Sequence, residues 1–264
     1  MGSRYEKGKW RTALTEVKGD DVYLRGYHFF ELAEKVDFAS AMYLLFKGEL
    51  PTEGQAKVLN ALMIAAIDHG IAPSSAVARI VAASGSPLQA CVAAGILTIG
   101  DIHAGPGEAC AHMYQEAMQR GKAQGKTIPQ MAEELVQERR RAKKAVDGYG
   151  HPMHPEGDPR GPWLLSMADK YGVSGDNVAL ARAVEEALAK AVGRRIGINI
   201  GGGSGAVISE LGIDWRLARA FMITPRSVGI AAHAWEEMSR ERGWRIIANE
   251  EEVLYDGPPE RKLP

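Results

Sequence analysis

Apolar residues recur at helical spacing in segment after segment of this chain, while the apolar–polar alternation of a half-buried strand is scarce. Val58, Leu59, Leu62, Met63 and Ala66 fall on one face of a helix expected over 55–69. The same spacing predicts helices over 38–48, 74–83, 88–99, from the glycines at 105 and 107 to about 120, and over 127–145, 159–171, 176–192, 205–211 and 215–240. Pro129 stands near the first turn of the 127–145 segment, where a missing N–H is tolerated. Strand character is confined to Val22-Tyr-Leu-Arg25 and to Trp244–Tyr255, where two short runs can form a hairpin. Alanine-rich helices let axes approach closely, so the fold class expected is all-α with minor β.

Of the 264 residues, 45% are hydrophobic and 25% charged, enough for one large domain or two modest ones. With 32 basic and 33 acidic residues the net charge is −1, which argues against nucleic acid or an anionic membrane as partner. The basic run Arg139–Lys144 follows Glu133, Glu134 and Glu138 and reads as a solvated helix face. Cys91 and Cys110 sit in alanine-rich helical stretches, as small packing residues of a reducing compartment would. No apolar run approaches the roughly 20 residues of a membrane span, and the first six residues fit neither a signal peptide nor a myristoylation site. The expected location is cytoplasmic.

Chemistry-bearing residues gather at the breaks between helices. The densest is Gly148–Arg160, where His151, Asp158 and Arg160 are held by three glycines and three prolines that forbid regular helix. Such a loop is either a shaped binding element or a plain linker. His151-x-x-His154 with Asp158 has a metal-ligand spacing, but it lies in a proline-broken loop rather than on one helix face and no cysteine or third histidine is near, so no metal is expected. Asp68-His69-Gly70 ends a helix, where the imidazole either caps free carbonyls or meets an anionic ligand. His103 lies just before the helix expected from the glycines at 105 and 107; a neutral imidazole there can polarise a carbonyl, or the segment is a structural turn. Ile198–Ala206 matches a dinucleotide-binding pattern by letters, yet no alternating β and α segments surround it. Arg226, on the last long helix, suits a di- or tricarboxylate by its planar fork, or a salt bridge within the chain.

Taken in order, several of these segments resemble the citrate synthase superfamily. They are Tyr23-Leu-Arg-Gly-Tyr27, Tyr43–Thr52, Asp68-His-Gly70, Ile96–Asp101, the Gly-x-Gly-His…Asp-Pro-Arg loop ending at Arg160, and Arg226-x-x-Gly-x-x-x-His233. The Asp68 and Ile96 segments resemble its citryl-CoA lyase branch, including the C-terminal module of ATP-citrate lyase. The likeness covers nearly the whole chain.

The resemblance implies a helical homodimer with a large domain (1–105 and 209–264), a smaller mobile domain (106–208) and an active site in the cleft between them. It implies His69, Arg160 and Arg226 as binders of the oxaloacetate or citryl carboxylates, with His103 and His151 as polarising acids. No permanently bound cofactor is implied; the coenzyme A thioester is a substrate. The activity implied is C–C bond cleavage or formation between an acyl-CoA (acetyl-CoA) and a 2-oxo acid (oxaloacetate).

Two departures stand out. Asn199-Ile200-Gly201 occupies the place of the family's Asn-Val-Asp, so a glycine stands where the proton-transferring carboxylate is expected. Glu108 is the possible replacement base. Pro155 lies near where synthases often carry a basic residue for the CoA phosphates. The alternatives are a protein that binds CoA or carboxylates without turnover, or a related enzyme with space around Gly201-Gly-Gly203 for a larger acyl group.

Overall fold

The computed structural model describes residues 10–263 apart from 104, 151–157, 242 and 246. Three short strands, β1 (Thr15–Lys18), β2 (Asp21–Leu24) and β3 (Tyr27–His28), form an antiparallel meander in that order. Val17 pairs with Val22, and Tyr23 with His28. The β2–β3 turn needs left-handed backbone, taken by Arg25 at φ 50° and Gly26 at φ 87°. Arg25 then donates through Nη2 to the Leu45 carbonyl at 2.6 Å, which fastens the sheet to the helices that follow.

Eleven α-helices complete the described residues: α1 (Phe29–Lys35), α2 (Phe38–Lys47), α3 (Glu53–Ile67), α4 (Pro73–Ala83), α5 (Leu88–Leu97), α6 (Pro106–Ala123), α7 (Ile128–Arg141), α8 (Arg160–Lys170), α9 (Asp176–Val192), α10 (Ile200–Glu210) and α11 (Ala218–Arg240). The all-α class with minor β therefore holds. Local chemistry sets the ends. Asp37 caps α2 by accepting from Ser40 N at 2.7 Å, and Thr127 with Gln130 forms a capping box on α7.

Most boundaries shift by one to three residues, and three differences are larger. The 127–145 helix stops at Arg141, because Lys143 turns to φ 53° and the amides of Lys143 and Lys144 bond back to Arg140 and Arg139. The helix expected from 205 begins at Ile200, taking four glycines into its body. The hairpin expected over 244–255 is absent among the described residues. A 3-10 turn at Glu250–Glu252 stands there, because the Asn249 side chain accepts from the amides of Glu251 and Glu252.

The chain divides into two compact units. One takes the chain up to Ile67 together with Gly100–Pro225; the other takes Asp68–Ile99 with the chain from Arg226. In the first, α10 packs on α6, α8 and α9, and α7 packs on α9. Its core includes Leu59, Tyr114, Leu164, Leu180, Ile208 and Phe221. In the second, α4 packs on α5, and a Cβ placed on Gly95 of α5 would lie 2.7 Å from both Ile230 Cγ2 and Ser74 O. Only glycine permits that approach.

Candidate active site

Asn199 joins two sequence motifs into one structure. Its side-chain oxygen caps α10 by accepting from Gly201 N at 2.8 Å and Gly202 N at 3.2 Å. Its Nδ2 donates to Gly150 O at 2.6 Å, and its amide donates to Gly148 O at 2.8 Å. The start of α10 and the last described residues before His151 are thereby held together. His151, His154 and Pro155 themselves lie outside the described residues.

Tyr149 anchors the same strand of chain from below. Its hydroxyl donates to Ala181 O at 2.7 Å, so the single proton of Tyr114 donates to it across 2.8 Å. Burial pushes both phenols well above their ordinary pKa, which keeps this chain of bonds neutral.

On the far side of the loop, Asp158 is almost fully buried yet charged. It accepts from Arg160 Nε and Nη2, both at 2.9 Å, from Arg160 N at 3.1 Å, and from Ile200 N at 3.0 Å. Burial alone would raise the Asp158 pKa. The Arg160 guanidinium and the two amides outweigh it and hold the carboxyl at about 2. Arg160 is therefore held by a bidentate clamp whose carboxylate also accepts from Ile200 N at the start of α10. Sequence reading grouped Asp158 with the loop's chemistry but could not show that it orients Arg160.

Glu108, on the first turn of α6, is bound by an arginine that the sequence reading missed. Arg219 Nε lies 2.8 Å from Glu108 Oε2, and Arg219 Nη2 reaches Asp101 Oδ1 at 2.8 Å. These contacts span 111 and 118 residues, so no local pattern announces them. Arg219 thus ties Asp101 to the first turn of α6; partly buried His103 follows Asp101, and its carbonyl accepts from Gly100 N at 3.0 Å. A small interior cavity lined by Leu62, Gly107, Glu108, Ser204, Arg219 and Phe221 adjoins the ion pair.

The glycine run of α10 is packed rather than open. A Cβ on Gly202 would lie 2.5 Å from Gly148 O, on Gly203 2.9 Å from Gly161 O, and on Gly205 2.5 Å from Cys110 Cβ. On Gly201 it would meet Pro106 Cβ at 2.9 Å and Asn199 Oδ1 at 3.1 Å. The extra space expected around Gly201-Gly-Gly203 is therefore filled by α6, α8 and the 148–150 segment, because the glycines let these elements close in.

Of the sequence-identified residues, the first unit holds His103, Glu108, Arg160 and Gly201, while His69 and Arg226 belong to the second. His69 is exposed on the turn after α3, and Arg226 is buried on α11.

A largely helical body whose glycine-rich helix is capped onto an arginine–aspartate loop defines the class of protein; comparison with known proteins gives the family. Residues 52–247 match the family described as citrate synthase, C-terminal domain. The solved citryl-CoA lyase from Hydrogenobacter thermophilus superposes with a TM-score of 0.88 at 37% identity, covering 97% of each chain. The ATP citrate lyase of Methanothrix soehngenii, solved with citrate and coenzyme A, shares the fold at a TM-score of 0.82 and 20% identity, over 97% of this chain and 43% of its own. Citrate synthase 2 of Bacillus subtilis (strain 168) is 24% identical over 243 residues, 90% of this chain and 61% of its own length. The chain thus spans about three fifths of that curated relative. It belongs to the citrate synthase family.

Proposed function

We propose that this protein cleaves, or in reverse forms, the C–C bond joining an acyl-CoA to a 2-oxo acid, with citryl-CoA, acetyl-CoA and oxaloacetate as the expected substrates. The observation that carries this is the end-to-end likeness to the citryl-CoA lyase of Hydrogenobacter thermophilus. The citrate and coenzyme A held by the ATP citrate lyase relative support the substrate class.

In the cleavage direction a base removes the proton of the tertiary hydroxyl, and the C–C bond breaks. Its electron pair passes to the thioester as an enolate, whose methylene carbon then takes up one proton to become the acetyl methyl, balancing the one removed from the hydroxyl. Arg160, Arg226 and His69 bind the carboxylates, His103 stabilises the enolate oxygen, and His151 serves the hydroxyl. Gly201 has no proton to return to the methyl carbon, and Glu108 is engaged by Arg219. No permanently bound cofactor is needed for these steps.

The domain division proposed is 1–105 with 209–264 against 106–208; the packing of α6, α8 and α9 on α10 supports grouping those helices, whereas the compact units of the fold divide the chain at 67/68, 99/100 and 225/226 instead. A homodimer is proposed with it, as is a cytoplasmic setting, in keeping with two free buried cysteines. No helix among the described residues is long and apolar enough to cross a membrane.

The test is oxaloacetate release from citryl-CoA and CoA-thiol release from acetyl-CoA plus oxaloacetate. Turnover abolished by His151→Ala supports the reading. A second reading, binding without turnover, is favoured by the closing of Pro106 onto Gly201. Calorimetric binding of oxaloacetate by a protein silent in both assays supports that one instead.

A further inference from the structure

Arg226 and His233 stand seven residues apart on α11, two turns along one face. Arg226 is buried. His233, partly buried, faces Asp68, with Nε2 3.1 Å from Oδ1. A carboxylate only accepts, so Nε2 donates. The other oxygen of Asp68 accepts from Gly70 N at 2.8 Å. One carboxylate therefore holds α11 with one oxygen and, with the other, the backbone just beyond His69.

The rest of the turn is closed by Ser75, whose hydroxyl donates to Gly70 O at 2.8 Å and accepts from Ala72 N at 2.8 Å. Gly70 takes φ 70°, which the reversal after His69 requires. His69 thus sits in a turn whose main chain is bonded on its C-terminal side and whose preceding side chain is tied to α11.

His233 is a costly choice for a mere packing position. Its Nδ1 is buried and meets no hydrogen-bond partner among the described residues; the nearest acid, Glu236, stands 4.0 Å away. A buried unpaired ring nitrogen disfavours folding, and an apolar side chain would fill the position without that cost.

We propose that His233 is a positioning residue for His69. Through Asp68 it fixes the 68–72 turn from the α11 face that it shares with Arg226, so that the His69 imidazole is ordered before substrate arrives. The inference rests on the proposed reading of His69 as a carboxylate binder.

The test compares the full chain with His233→Leu, His233→Gln and Asp68→Ala. Gln keeps a donor at the tip of a similar reach; Leu keeps only the bulk. Amide exchange of residues 68–72, read by mass spectrometry without any substrate, is expected to speed up in the Leu and Ala variants and to stay near wild type in Gln. With citryl-CoA, or with oxaloacetate binding by calorimetry, His233→Leu is expected to raise KM or Kd by about tenfold with kcat changed by less than about threefold, and Gln is expected to restore it. The Leu and Ala changes combined are expected to do no more than either alone.

Unchanged exchange in His233→Leu overturns the anchor. Faster exchange with unchanged KM or Kd, or no rescue by Gln, overturns the positioning role. A wild type that neither cleaves citryl-CoA nor binds oxaloacetate overturns the functional reading and the role of His69 with it, while the exchange data still decide the anchor.

Discussion

At the scale of single residues, the charge on Asp158 links the candidate site to stability. Its carboxyl is held at about 2, below its ordinary 3.8, so the folded state binds its proton less readily than the unfolded chain. The stabilisation is therefore complete above about pH 4 and is lost as pH falls toward 2. From a shift of this size it amounts to about 2 kcal/mol. Denaturant titrations at pH 6 and pH 2.5 are expected to show this loss in the wild type and not in Asp158→Asn. Equal acid sensitivity in both would refute the assignment.

Gly201 offers a second test at this scale. An aspartate there sits in the first turn of α10, where the helix dipole favours it by a few tenths of a kcal/mol. Its Cβ, however, would lie 2.9 Å from a ring carbon of Pro106, which cannot swing aside. Gly201→Asp is expected to lower stability by about 1–3 kcal/mol, with Pro106→Gly in the same chain recovering part of it. A Gly201→Asp protein as stable as wild type in thermal melts would mean that α6 yields.

At the scale of elements, α10 shows how glycine governs packing. Glycines inside a helix ordinarily weaken it by about 1 kcal/mol each relative to alanine. Here the close approach of α6, α8 and the 148–150 segment offsets that cost. Gly205→Ala would press a methyl against Cys110 Cβ at 2.5 Å and Ala111 N at 2.7 Å, both on α6. The expected result is a loss of stability rather than the gain alanine brings to an open helix, seen as a lower denaturation midpoint. Gly193, which ends α9 at φ 76° with no atom within 4 Å of an added Cβ, provides a contrast. An alanine there is strained by its backbone alone. The pattern of helices was legible in the sequence, and Asp176–Val192 matches the expected 176–192 at both ends. The early start of α10 was not, because glycine propensity argues for a loop and only its neighbours make it a helix.

At the scale of the whole molecule, family membership was readable from ordered motifs, and the likeness to citryl-CoA lyase over 97% of the chain agrees with it. The proposed homodimer has a direct check in light scattering, where twice the chain mass is expected. Leu97, Val228 and Trp235 expose apolar surface on the second unit. Trp235→Glu is expected to shift the mass toward that of one chain if this surface is the interface; an unchanged dimer would place the interface elsewhere.

Periodicity, caps and motif order are local or serial properties, and a chain carries them before it folds. That is why the helix succession, the all-α class and the citrate-synthase resemblance could be read directly from the residues. The partners of charged groups and the space beside a glycine depend on elements brought together from far along the chain. Arg219 reaches Glu108 across 111 residues, and His233 reaches Asp68 across 165. The apparent opening at Gly201–Gly203 closes only when α6, α8 and the 148–150 segment arrive beside α10. These features were decided by tertiary packing, since steric fit and ion pairing act between neighbours in space rather than in sequence.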